Sequence, residues 1–527
     1  MTSRYGAFAL GWIAACAAFA EEPTWSRDVA PIVYRHCTEC HRPDGSGPFP
    51  LASYADTRQR AKMIADVVTR RYMPPWKAER GELKFTNERG MTDAEINAIQ
   101  AWVSAGTPEG DPALAPPTPV YKSEWHHGPP DILLEMEEEF TVPADGPDIY
   151  RNFVIRIPDL PPGKYLKGID YKPRALQSAH HSLFSLDTTG DMRARADASA
   201  KPGFSGMESN LSTRRVGGWA VGALPELFPE GIALAITPGT DLVLNSHFHP
   251  VGKPETERAR VGLYLTDRPP TREAIALDIP FGFGVTANIR IPAGATNHLL
   301  ESSFTLPADA ELSGLAPHAH LLAREISAHA TLPDGRKLTL IHVRDWDFNW
   351  QEQYRYAEPV HLPAGTRIDV RFVYDNSEAN PFNPHHPPQV VTWGPETTDE
   401  MASVSMRFVS GDPAAIAAVR KGYGDWVKDS ITKTDFALVE HAVARQEDEQ
   451  MDLNGDGSVG LDEYLAAGKR AWRLLRGSSH DELGLVPFLA WQIVKREVLP
   501  RIAIGVIVIV GAIWLLRWLR ARWRANA

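Results

Sequence analysis

Three cysteines and eighteen histidines occur in a chain of 527 residues, and their spacing limits the chemistry it can carry. In Cys37-Thr38-Glu39-Cys40-His41, two thiols stand at the separation that bonds the vinyl groups of a haem, and the adjacent imidazole can take an axial position on its iron. Haem c outranks a zinc site here, because no later cysteine exists to complete a four-cysteine cage. A downstream methionine is expected opposite His41. Met73 in RRYMPPW suits that place, since its prolines favour a non-helical loop; Met91 is its rival, and Met63 lies in a helical stretch.

Further along, histidines come in close pairs: His180-His181, His247-x-His249 and His318-x-His320. Residues two apart on a strand share a face, so an H-x-H pair can turn two imidazoles toward one ion, whereas an adjacent pair needs a bulge or a strand end. Imidazole ligands suit copper, zinc or iron. His126-His127 and His385-His386 lie in proline-rich loops and read as solvated loop residues. A third constellation, Asp452, Asn454, Asp456, Ser458 and Glu463 in DLNGDGSVGLDE, has the spacing of oxygen ligands in an EF-hand loop and predicts calcium.

The elements that must position these residues change along the chain. Residues 1–20 read as an export signal ending A-F-A, with a lipobox-like alternative that would make Cys16 a lipidated terminus. Residues 21–112 show helical periodicity and predict an all-α cytochrome c-like haem domain, in which Thr92 and Glu95 form a capping box. A Pro/Ala-rich linker at 111–119 follows. Short alternating apolar runs between Pro/Gly turns then predict two β-sandwiches, 121–270 and 271–410. Helical periodicity returns over 411–480 around the EF-hand, and 498–519 reads as a transmembrane anchor followed by arginines. Together these predict an exported protein held in a bacterial inner membrane, with its globular part periplasmic and its C-terminus cytoplasmic. A net charge of −11 excludes nucleic acid as an expected partner.

The segments AHHSLF, VLNSHFHPVGKPE, LAPHAHLLAREI and TWGPETTDEMASVSM, in this order, resemble the copper type II, ascorbate-dependent monooxygenases, similar to peptidylglycine and dopamine β-monooxygenases, over about residues 121–410. That resemblance implies two jelly-roll sandwiches holding two copper ions. It assigns His180, His181 and His247 to one copper, with His249 as the alternative to His247, and His318, His320 and Met401 to the copper at which O2 reacts. The chain departs from the family in lacking the cysteines for its disulfides. Ala316 and Ser405 replace the residues that hold a peptide carboxylate, so a peptide substrate is not expected. The implied function is hydroxylation of a C–H bond in a small-molecule substrate, with electrons passing from an unidentified donor through the haem. The alternative is a non-catalytic haem and copper electron-transfer or copper-handling protein.

Overall fold

The computed structural model describes residues 22–442 except 44, 87, 122, 208–212 and 226; beyond 442 it describes 451, 452, 454, 458–460, 463 and 485. The described residues form two compact units, one comprising those up to Pro74 with Arg89–Tyr121, the other Pro75–Glu88 with those after Tyr121.

In the first unit, short helices span Trp25–Val29, Ala30–His36, Tyr54–Gln59, Ala61–Thr69 and Asp93–Ser104. The last starts at the expected capping box: Glu95 N–H donates to Thr92 Oγ1, and Thr92 N–H donates to the Glu95 carboxylate. Apolar residues at helical spacing, among them Val29, Val33, Ile64, Val68, Ile99 and Trp102, share one core with Trp25.

The second unit is built from β-sheets. Its N-terminal half has a five-stranded sheet in the order Phe204–Ser205, Ile149–Arg156, Asp241–Phe248, Ala179–Asp187, Arg214–Ala220. Its core is shared with a three-stranded sheet of Ile132–Glu135, Arg260–Thr266 and Tyr165–Lys172. The C-terminal half pairs two four-stranded sheets. One runs Glu273–Ile279, Ala402–Ser410, Ala310–Ala319, Tyr354–Leu362; the other runs His298–Thr305, Arg367–Tyr374, Ala323–Thr331, Lys337–Val343. Period two is plain in Arg367–Tyr374, where Ile368, Val370, Phe372 and Tyr374 are buried and the intervening Arg367 and Arg371 are exposed. Asp241–Phe248, central in its sheet, is buried at every position. Similar turns start both strands: Gly239 and Gly365 adopt φ of 85° and 84°, a left-handed conformation that glycine takes without a Cβ clash.

The expected fold class needs correction. An all-α cytochrome c domain over 21–112 is not seen, because residues 75–88 leave the helical unit and join the β-sheets. Phe85 bridges Tyr356, Glu79 N–H donates to His342 O, and Trp76, Ala78 and Phe85 enter the core of the C-terminal half. The transmembrane helix is likewise withdrawn. Residues 498–519 lie outside the described residues, and no helix among the described residues is long and apolar enough to cross a membrane. The inner-membrane localisation that depended on that helix is therefore not supported. Of the helical segment expected over 411–480, Pro413–Lys433 is a helix, while Asp456 and most of the remainder, like the signal at 1–20, lie outside the described residues.

Candidate metal centre

Sheet register sets the first histidine group. His181 and His247 are direct cross-strand partners, and the ladder shifts between Ala179 and His181, so His180 is the extra residue of a bulge. The bulge lets two adjacent imidazoles reach one place. His180, His181 and His247 each offer a nitrogen within 4.8 Å of the others. The Nδ1 atoms of His180 and His181 are 3.2 Å apart. Two nitrogens at about 2.0 Å from one ion and a tetrahedral angle stand about 3.3 Å apart, so the pair already has ligand spacing.

Hydrogen bonds choose the ring nitrogen that remains for a metal. His180 Nε2–H donates to Phe348 O at 3.2 Å, leaving Nδ1. His247 is 1% exposed, and its Nδ1 is buried with no hydrogen-bond partner. Such an orphan is costly unless a ligand takes it, which makes His247 the strongest sign that these residues fit a metal. Its ring stacks on Tyr150 at 4.3 Å and 5°, and its Nε2 lies 3.5 Å from Asp148. His249 is turned away, with a side chain 56% exposed and Nδ1 2.6 Å from Asp148. Burial alone would raise the Asp148 carboxyl; His247, Thr397 and His249 hold it well below the usual carboxylate range.

The second group sits at the end of strand Ala310–Ala319. His318 Nδ1–H donates to Gln351 Oε1 at 2.5 Å and His320 Nδ1–H donates to Asp399 O at 3.1 Å, so both retain Nε2. Their ring centroids are 5.3 Å apart. Met401, 2% exposed, lines the same cavity as His318 and His181, and a thioether beside imidazoles is a donor set that suits copper. Buried Glu400 accepts from the backbone N–H groups of His320, Leu322 and Met401, fixing the chain between these residues.

The two groups lie against each other. His181 and His318 are 6.2 Å apart between centroids, and Phe348 stacks on His180 at 4.3 Å while contacting His320 at 5.5 Å. Burial, reinforced by neighbouring imidazoles, pushes His180 down to about 3 and His181 and His320 well below the ordinary histidine value; burial also takes His318 down to about 4. Near neutrality these four rings are uncharged and carry a lone pair, the form that binds metal. A cavity of about 210 Å³ opens on His181, His318 and Met401, with Leu183, Trp219 and Phe283 among its apolar walls.

The residues expected to hold a haem lie in the first unit. Cys37 and Cys40 form no disulfide, and burial next to Cys40 pushes the Cys37 thiol up to about 12. His41 Nδ1–H donates to Phe49 O at 3.0 Å, leaving Nε2 for an iron. Met91, 5% exposed, belongs to the core on which Cys37 packs; Met73 is half-buried and follows the helix Ala61–Thr69, its N–H bonded to Val67 O. In the loop expected to bind calcium, Glu463 accepts from Asn454 N–H at 3.1 Å and Gly460 N–H at 2.8 Å; Asp452 and Ser458 are described, Asp456 is not.

Sequence reading missed Asp148, Tyr150, Phe348, Gln351 and Asp399, which hold or cover the histidines. Only the polar run QEQ at 351–353, set between aromatic residues, offered a signal.

No family model matches the chain, and no curated protein matches it. Among solved structures, it is similar to PNGF-II in a P21 crystal form at 10% identity and a TM-score of 0.25, covering 53% of this chain and 65% of that one, less than two thirds of its length. The major capsid protein P2 from bacteriophage PM2 matches at 7% identity and a TM-score of 0.20, covering 53% of this chain and 97% of that one. Likeness at this level carries no functional argument.

Proposed function

We propose that the chain is a copper-dependent monooxygenase that hydroxylates a C–H bond of a small-molecule substrate. The reaction is R–H + O2 + 2 e⁻ + 2 H⁺ → R–OH + H2O, with electrons from an external donor passing through a haem c attached at Cys37 and Cys40. The observation that carries this reading is two buried imidazole groups, each with ring nitrogens left over by its hydrogen bonds, beside one cavity. His180, His181 and His247 would hold one copper, and His318, His320 and Met401 the other. Copper at these residues supplies one-electron redox chemistry and the activation of O2.

The chain's own part is positioning. Phe348 O, Gln351 and Asp399 O fix three ring orientations, so the ligands need little reorganisation. Apolar walls limit water around the reacting C–H bond. His41 and a methionine would hold the haem iron, while Asp452, Asn454, Asp456, Ser458 and Glu463 would bind calcium.

The cavity favours this reading over a non-catalytic copper or electron carrier, since a carrier requires no substrate chamber beside Met401. The test is Met401→Ala in copper-loaded, reduced protein, measured as hydroxylated product from a panel of small organic molecules. Loss of product with the His180/His181/His247 copper retained supports the proposal. Full product formation by the variant overturns it.

A further inference from the structure

The cavity beside His318 carries an electrostatic signature that the hydroxylation proposal does not use. Its lining includes Arg214, Arg215, Arg355 and Arg407, and no Asp or Glu occurs among its described lining residues. These arginines come from three strands, Arg214–Ala220, Tyr354–Leu362 and Ala402–Ser410, which belong to both halves of the β unit. Arg355 is tied down by donating to Leu227 O at 2.9 Å.

Arg215 is the informative member. Its side chain is 15% exposed and meets Asp278 at 3.5 Å, longer than a good charge-assisted hydrogen bond. Its Nε–H is buried without a hydrogen-bond partner. The guanidinium lies 5.4 Å above the Phe283 ring, whose edge lies against His318 at 5.1 Å. A second polar group on the same lining, Ser403 Oγ, is also buried and unpartnered. Buried polar groups are seldom left without partners, and a planar guanidinium fork matches an oxyanion. Across the ladder, Ala316 pairs with Ser405, two small side chains that leave room in the chamber.

We infer that the cavity binds a small organic carboxylate, its carboxylate received by Arg215 and its apolar body lying along Phe283 toward His318 and Met401. At about 210 Å³ the chamber is below the roughly 300–1,000 Å³ usual for larger ligands, which restricts the occupant to a small molecule. The inference rests on the proposed hydroxylation only for what then happens to the ligand; binding itself needs no copper.

The experiment is calorimetric titration of the full chain, copper-free and copper-loaded, with phenylacetate, neutral phenylacetamide and cationic phenethylamine. Phenylacetate is expected to bind at least tenfold more tightly than either isostere. Arg215→Gln should erase that preference while leaving phenylacetamide affinity unchanged, and Arg215→Lys should restore part of it. Equal binding of the three probes, preference for the amine, no binding of phenylacetate, or an undiminished preference in Arg215→Gln overturns the inference. Copper per chain, measured on the same samples, separates this outcome from failure of the monooxygenase reading. Carboxylate selectivity without copper binding would defeat the latter alone.

Discussion

His180 and His318, one from each histidine group, are joined through a single loop: His180 Nε2–H donates to Phe348 O, Gln351 Nε2–H donates to the same oxygen at 3.0 Å, and His318 Nδ1–H donates to Gln351 Oε1. The orientation of one imidazole therefore constrains the other.

Gln351→Leu should break this connection while preserving approximate volume. Loss of a partner that orients a ligand weakens metal affinity by about 10–100-fold, so the His318/His320/Met401 copper should weaken to that degree. The His180/His181/His247 copper should change less, since Phe348 O is a backbone atom and stays. Copper titration followed by electron paramagnetic resonance distinguishes the two sites, and identical binding at both in the variant would show that Gln351 positions nothing.

His247 and His249 make opposite predictions. His247→Ala should lower the copper content from two ions per chain to one, whereas His249→Ala should keep both, because its ring points away to Asp148. Elemental analysis after dialysis decides this. A normal copper content in His247→Ala, with loss in His249→Ala, would reverse the ligand assignment.

Stability of the copper-free protein should depend on pH in two opposed ways. His180 and His318 have pKa values lowered by burial to about 3 and about 4, so the stability they contribute is present above about 6.5 and is lost as pH falls toward those values. Burial raises Glu257 to about 7 against the lowering effect of the N–H groups of Arg174 and Ala175 that donate to it; its contribution is present below about 4.5 and is lost as pH rises through 7. Thermal melts from pH 4 to 8 should show loss at both ends, and Glu257→Gln should flatten the alkaline side. An unaltered alkaline limb in that variant would contradict the assignment.

For the haem, Met73→Ala and Met91→Ala should differ in the Met-to-iron charge-transfer band of the oxidised protein. Loss of the band in Met73→Ala makes Met73 the ligand. Its persistence there, with loss in Met91→Ala, transfers the role to the residue in the Cys37 core.

Short-range chemistry was legible in the sequence. The pairs His180-His181 and His318-x-His320 could be named because spacing along a strand decides which imidazoles share a face, and the bulge at His180 follows from two neighbours needing one target. The capping box at Thr92 is equally local. Asp148, Gln351 and Arg215 were not legible, since each acquires its meaning from a partner supplied by distant chain: Thr397 for Asp148, His318 for Gln351, Phe283 for Arg215. Residues 75–88 were misread for the same reason. GELKFT has too little period of its own to reveal that Phe85 pairs with Tyr356, and it was absorbed into the helical pattern around it.

That excursion makes the two units inseparable by a single cut. The chain passes between them at Pro74, at Glu88 and again at Tyr121, so cleavage in the Pro/Ala-rich stretch 111–119 leaves residues 75–88, which belong to the β unit, covalently attached to the helical unit. A truncation beginning at 121 would remove Trp76, Ala78 and Phe85 from a core that contains Tyr354 and Tyr356, uncovering an aromatic face on the β unit and inviting aggregation. An expression fragment intended to isolate the histidine-bearing sheets should instead retain 75–88, grafted ahead of residue 122.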